Sequence, residues 1–137
     1  MDANILFGLG KVMKENESRE MYLEVIYELE QQQEVVHSVD IASRMDFSKP
    51  SVSRAINVLR KNGYIAHSPY GDVALTEKGR ELARRVYNTH QLLTAFFTQI
   101  LKLDPETAEA DACRIEHVIS QQALDAIEAY LGARNQA

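Results

Sequence analysis

Apolar residues Tyr22, Val25, Ile26 and Leu29 recur at the period of a helix with one buried face, which predicts an amphipathic helix over about Ser18 to Gln33. Met21 and Glu24 fall at the edge of that stripe. Two shorter apolar sets follow, Ile41, Ala42 and Met45, then Val52, Ala55, Ile56 and Leu59. Ser38 and Ser48 precede them as expected N-caps, and Gly63 follows the second as an expected C′ residue. Only Asp46, Phe47 and Ser48 separate the two, so the pair predicts a helix-turn-helix.

The period then changes. In "YIAHSPYGDVAL" a short β run leads to a turn with Pro69 and Gly71 and a second run at Val73 to Leu75, which predicts a hairpin wing. Thr76 is placed to cap a long helix, with apolar positions Leu82, Val86, Leu93, Phe97, Ile100 and Leu101 along one side over about 25 residues. Asp104 and Pro105 read as the N-cap and first residue of a further helix expected to carry Cys113, Glu116 and His117. Ser120 opens a last helix expected to end at Gly132. The fold predicted is mainly α: an N-terminal winged helix-turn-helix over residues 1–75 with a small β-hairpin wing, then an all-helical domain over 76–137.

Composition narrows the classes of function. The 137 residues are 45% hydrophobic and 26% charged, which fits one folded unit or two small lobes. A single cysteine makes no internal disulfide, and no targeting segment or membrane-length apolar run is present in the sequence, so a cytoplasmic protein without a membrane span is expected. The net charge is −5, yet Lys49, Arg54, Arg60 and Lys61 lie in a stretch without an acid, while Glu20 to Glu34 contains five glutamates and no base. Phosphate binding follows the local field, so the basic stretch remains a candidate DNA-contacting segment. There is no His-Glu-x-x-His run, Gly-rich phosphate loop or Gly-x-Ser-x-Gly elbow, so no enzyme is expected.

In "ACRIEH", Cys113 stands three residues before Glu116 and four before His117. That spacing would direct thiol, carboxylate and imidazole to one side of a helix. A lone helical cysteine is more often a small buried hydrophobe, and a Glu-His pair is more often solvated, so spacing alone decides nothing.

Taken together, "EMYLEVIYELE", "IASRMDFSKPSVSRAINVLRKNGYI", "LTEKGRELARRV" and "EADACRIEHVIS" resemble, in order and spacing, the diphtheria toxin repressor family of metal-dependent transcriptional repressors. The resemblance covers nearly the whole chain. It implies a homodimer that binds palindromic double-stranded operator DNA when divalent metal fills its sites, with dimerisation and metal binding in the helical domain. The implied primary site is Met21, Cys113, Glu116 and His117; an ancillary site lies near His90, with Glu24 and Glu109 as further candidate ligands. Thr94 stands where iron-responsive relatives have glutamate, and Glu109 where they have histidine. Soft donors at Met21 and Cys113 favour Fe2+ over Mn2+, since manganese-tuned relatives resemble the chain at Glu24 but carry carboxylates at those two positions. The chain resembles the short, two-domain branch, without the barrel-like third domain of longer relatives. For DNA, the resemblance implies contacts from Ser48, Lys49, Pro50, Ser51 and Arg54. Arg54 replaces a common glutamine and has two readings, bidentate guanine contact or phosphate grip. An alternative is a winged-helix regulator that answers a small organic ligand, with Cys113 and His117 structural.

Overall fold

The computed structural model describes residues 3–136. In chain order the elements are α1 (Ala3–Gln32), β1 (Val36–His37), α2 (Ser38–Met45), α3 (Lys49–Lys61), β2 (Ile65–His67), β3 (Asp72–Leu75), α4 (Glu77–Gln99), α5 (Pro105–Ile115) and α6 (Gln121–Gln136). The chain divides into two compact units, Met1–Arg84 and Arg85–Ala137, and α4 contributes residues to both.

In the first unit, α1 buries Tyr22, Leu23, Ile26 and Leu29, while Val25 is only half-buried. The helix starts well before the expected Ser18, and no proline interrupts the chain upstream of that residue. The N-cap of α2 is His37, one residue earlier than expected. Asp40 decides this register: its carboxylate accepts from the His37 backbone N–H at 2.8 Å, which completes a capping box and leaves Ser38 as the first helical residue. Asp46 then turns the chain in the left-handed region at φ 56°, a conformation aspartate tolerates better than most residues.

Ser48 caps α3 as expected, its hydroxyl accepting from the Ser51 N–H at 3.3 Å. Pro50 costs no helical hydrogen bond because first-turn donors have no partner within the helix. Val52, Ile56 and Leu59 form the buried side of α3. Gly63, at φ 82°, closes it; its N–H donates to Arg60, and the Tyr64 N–H donates to Leu59 at 3.0 Å.

The wing is present, and the sheet has a third strand that the sequence pattern did not reveal. The order is β1-β3-β2, all antiparallel, with Val36 opposite Val73 and Ile65 opposite Leu75. At the wing turn, the Ser68 hydroxyl accepts from the Tyr70 and Asp72 N–H groups, each at 3.2 Å. Thr76 caps α4 by accepting from the Gly79 N–H at 3.1 Å.

In the second unit, Leu93, Ala112 and Leu124 form the buried centre, with Leu92, Phe97, Ile115, Ile119 and Ile127 packed against it. Asp104 caps α5, and hydrogen bonds from the backbone and then the side chain of Thr107 hold its carboxyl below the usual carboxylate range. Ser120 caps α6 by accepting from the Ala123 N–H at 3.1 Å. The last helix does not stop at Gly132 but continues to Gln136. An interior glycine costs only about 1 kcal/mol relative to alanine, too little to end a helix that buries Leu131 one residue earlier. No described helix is long and apolar enough to cross a membrane.

Candidate metal centre and DNA-contacting face

In the structure "ACRIEH" spans the end of α5. α5 ends at Ile115, Glu116 is its C-cap, and His117 lies in the turn that follows. Glu116 keeps right-handed helical backbone angles, so the run straddles the last turn of α5 and the turn beyond it. Cys113 is exposed on the last turn, whereas the Glu116 side chain is fully buried and that of His117 is 3% exposed. The turn is held by the Glu116 N–H donating to Ala112 at 2.9 Å and by the N–H groups of Val118 and Ile119 both reaching Ile115.

Three expected ligands do meet within the second unit. His90 Nδ1 lies 2.6 Å from Glu116 Oε2, and His117 Nε2 lies 3.2 Å from Glu116 Oε1. One carboxylate thus faces two imidazoles, one through each oxygen. This joins His90, expected in an ancillary set, to Glu116 and His117 of the primary set. The sequence hid the link because 26 residues separate His90 from Glu116. Imidazole nitrogen and carboxylate oxygen are ligand atoms suited to first-row transition metals, and their burial limits competition from water, so the group fits a divalent ion. Glu109 lies exposed on α5, and Thr94 follows His90 by one turn of α4. Met21, 39% exposed, and the half-buried Glu24 belong to the first unit, three residues apart on α1.

On the first unit, Ser48, Lys49, Pro50 and Arg54 are exposed and Ser51 is half-buried. The Ser48 hydroxyl donates to the Ser51 hydroxyl at 2.9 Å, which orders the start of α3. Tyr22 packs under this corner, its ring 6.2 Å from that of Phe47 in the turn; burial raises the Tyr22 phenol above its ordinary pKa. The outer side of α3 also presents residues the sequence reading did not single out. Val58 is 55% exposed one turn beyond Arg54, and Asn57 accepts from Arg60 at 2.8 Å. An exposed apolar residue on an otherwise polar helix face is the signal that was available for Val58.

A buried carboxylate flanked by imidazoles in one unit, and a helix-turn-helix with an exposed basic helix in the other, define the class of metal-responsive DNA-binding proteins. Residues 16–73 match the N-terminal DNA binding domain of the iron dependent repressors, and residues 76–136 match the metal binding and dimerisation domain of the same family. The chain belongs to that family, the family of the diphtheria toxin repressor.

The diphtheria toxin repressor of Corynebacterium glutamicum is 37% identical over 106 residues, which cover 77% of this chain and 46% of that protein. The chain thus spans about half the length of that relative. An HTH-type transcriptional regulator of Methanocaldococcus jannaschii, MJ0568, is 29% identical over 85% of this chain and 94% of its own. A solved manganese-dependent transcriptional repressor in complex with manganese superimposes with a TM-score of 0.76 at 30% identity, covering 83% of this chain and 52% of that one.

Proposed function

We propose that this chain is a metal-activated transcriptional repressor. It binds palindromic operator DNA as a homodimer in the cytoplasm when a divalent metal fills its sites, and so controls metal homeostasis. Residues 1–75 contact DNA, and residues 76–137 hold most of the metal ligands and the dimer contact. The observation that carries the reading is the buried carboxylate of Glu116 between His90 and His117.

Met21, Glu24, His90, Glu109, Cys113, Glu116 and His117 are the proposed ligands. When bound, a divalent ion supplies positive charge and directional coordination bonds to this donor set. Deprotonated Cys113, ionised Glu116 and neutral imidazoles are the ligand forms, so loading releases protons and strengthens as pH rises. The thioether of Met21 and thiolate of Cys113 favour Fe2+; Mn2+ is accepted through the harder donors Glu24, Glu116 and the histidines.

Ligands drawn from both units make affinity depend on how the units are oriented, and only such differential affinity shifts a conformational equilibrium. Orientation of α3 then sets DNA affinity. Ser48, Pro50, Ser51 and Arg54 face the bases and Lys49 the phosphates in this reading.

Calorimetry of metal binding, paired with fluorescence anisotropy of operator binding, tests the arrangement. Glu116→Ala and His117→Ala abolish high-affinity metal binding. Met21→Ala retains some metal binding but loses most of the metal-dependent gain in DNA affinity. A Met21→Ala protein with the full gain overturns the role given to α1.

A further inference from the structure

α1 is fastened to the rest of its unit at two points on either side of Met21 and Glu24. On the N-terminal side of that pair, the Arg19 guanidinium lies over the Tyr64 ring at 5.4 Å from the centroid, and Lys78 Nζ lies 4.4 Å from the same centroid. Tyr64 lies three residues beyond the end of α3, bonded through its N–H to Leu59. On the C-terminal side, one carboxylate holds two elements. Glu30 Oε1 accepts from the Leu75 backbone N–H at 3.1 Å, and Oε2 lies 2.9 Å from Arg80 Nη1. The Glu30 side chain is 17% exposed.

The Leu75 bond has a geometric cause. Backbone N–H groups alternate sides along a strand, and that of Thr76 points to β2 by donating to Tyr64, so that of Leu75 points to the β1 side. β1 consists of Val36 and His37 alone, paired with Val73 and Asp72. In this antiparallel register Leu75 would face residue 34, two residues before β1 begins. The Glu30 carboxylate takes the place in the ladder that β1 leaves open, and its second oxygen takes the first turns of α4 through Arg80.

We propose that Glu30 is a positioning residue that transmits the state of α1 to the wing and the start of α4, an inference that rests on the metal-activated reading above. Met21 and Glu24 lie between the Arg19 and Glu30 attachments, which are about 16 Å apart along the helix. Fixing α1 by its metal ligands therefore fixes Tyr64, in the turn beyond the recognition helix, on one side and the central strand of the sheet on the other. Glu30 is not a ligand in this scheme. Its loss uncouples metal binding from DNA binding without removing either.

Glu30→Ala removes both bonds, and Glu30→Gln keeps an acceptor for Leu75 while removing the charge that faces Arg80. The probes are Mn2+, followed by calorimetry, and a labelled duplex selected from a randomised pool by the manganese-loaded wild-type protein, followed by anisotropy with and without Mn2+. Both variants are expected to bind Mn2+ within about twofold of wild type, because neither alters a ligand. The ratio of DNA affinities with and without Mn2+ is expected to fall about fivefold in Glu30→Ala and by a smaller factor in Glu30→Gln. Where Glu30→Ala does not fold, a fall of about twofold or more in Glu30→Gln supports the inference, and an unchanged ratio overturns it. An unchanged ratio in folded Glu30→Ala, or equal weakening with and without Mn2+, overturns it as well, since equal weakening marks a merely structural residue. A wild-type protein whose DNA binding ignores Mn2+ overturns the metal-activated reading and this inference with it.

Discussion

Replacing Gly79 with alanine separates two opposed expectations for the corner that carries the wing. On helix propensity alone, alanine for a helical glycine stabilises by up to about 1 kcal/mol, and Gly79 lies in the first turn of α4. The surroundings of Gly79 reverse the sign. A Cβ there would be driven into the Tyr64 carbonyl oxygen and lie 3.0 Å from its carbonyl carbon. Tyr64 cannot retreat freely, because its carbonyl accepts from the Thr76 N–H at 3.0 Å, its N–H is bonded to Leu59, and its ring lies beneath Arg19 and Lys78. Making room requires α4 to lift, which strains the Thr76 bonds to Tyr64 and to the Gly63 carbonyl, the latter at 2.6 Å.

Overpacking of this kind costs about 1–3 kcal/mol, and each hydrogen bond lost about 0.5–1.5. After the propensity gain, the net loss is about 3 kcal/mol, a large share of the roughly 5–15 kcal/mol that holds a domain folded. Thermal unfolding followed by circular dichroism should show a drop of roughly 10 °C. Gly132 is the control: it is helical in α6, and a Cβ there meets nothing within 4 Å. Gly132→Ala should therefore raise the melting temperature slightly. A Gly79→Ala protein as stable as wild type would refute the packing argument, since the same substitution at Gly132 calibrates propensity alone.

Arg54→Ala should cost about 1–3 kcal/mol of operator affinity and relax preference at one position of each half-site, measured across variant duplexes; uniform weakening would assign Arg54 to phosphate. Asp104 is held ionised by Thr107, so its contribution is complete above the unfolded carboxylate pKa and is lost as pH falls through the depressed folded value. Melting curves of Asp104→Asn should accordingly show a smaller loss of stability between neutral and strongly acid pH than wild type. Leu101 is 51% exposed, whereas Leu93 is buried in the core of its own unit. Leu101→Asp should weaken self-association in sedimentation while Leu93→Ala chiefly lowers stability, and the reverse pattern would move the dimer contact elsewhere.

Much of the secondary structure of both units was legible because its signals are local. Ser48, Gly63, Thr76, Asp104 and Ser120 each act on backbone groups within a few residues, so caps and turn could be read in sequence order. β1 escaped notice because two residues carry no period, and its existence depends on Val73 and Asp72 across the sheet. The cap at His37 was missed because the decisive partner was Asp40, and a serine stood in the more familiar place.

The candidate site divides along the same line. Residue identities were visible through resemblance, but the meeting of His90 with Glu116 is a tertiary contact that periodicity does not encode. Helix spacing also assigned Cys113, Glu116 and His117 to one helix, and spacing does not encode that the helix ends there, with Glu116 as its C-cap and His117 in the turn, or that the thiol is exposed while the carboxylate is buried. Glu30 looked like one more solvated acid in a glutamate-rich stretch, and only the late start of β1, at Val36, shows why a carboxylate is held there.

The central claim is that DNA affinity depends on the metal. A duplex selected from a randomised pool should be titrated with the protein in chelator, then with excess Fe2+ under anaerobic conditions or Mn2+ in air, and finally with chelator restored. The account predicts weak binding, a gain of about tenfold or more on metal addition, and reversal on chelation. Tight sequence-specific binding that is the same in all three conditions would contradict it.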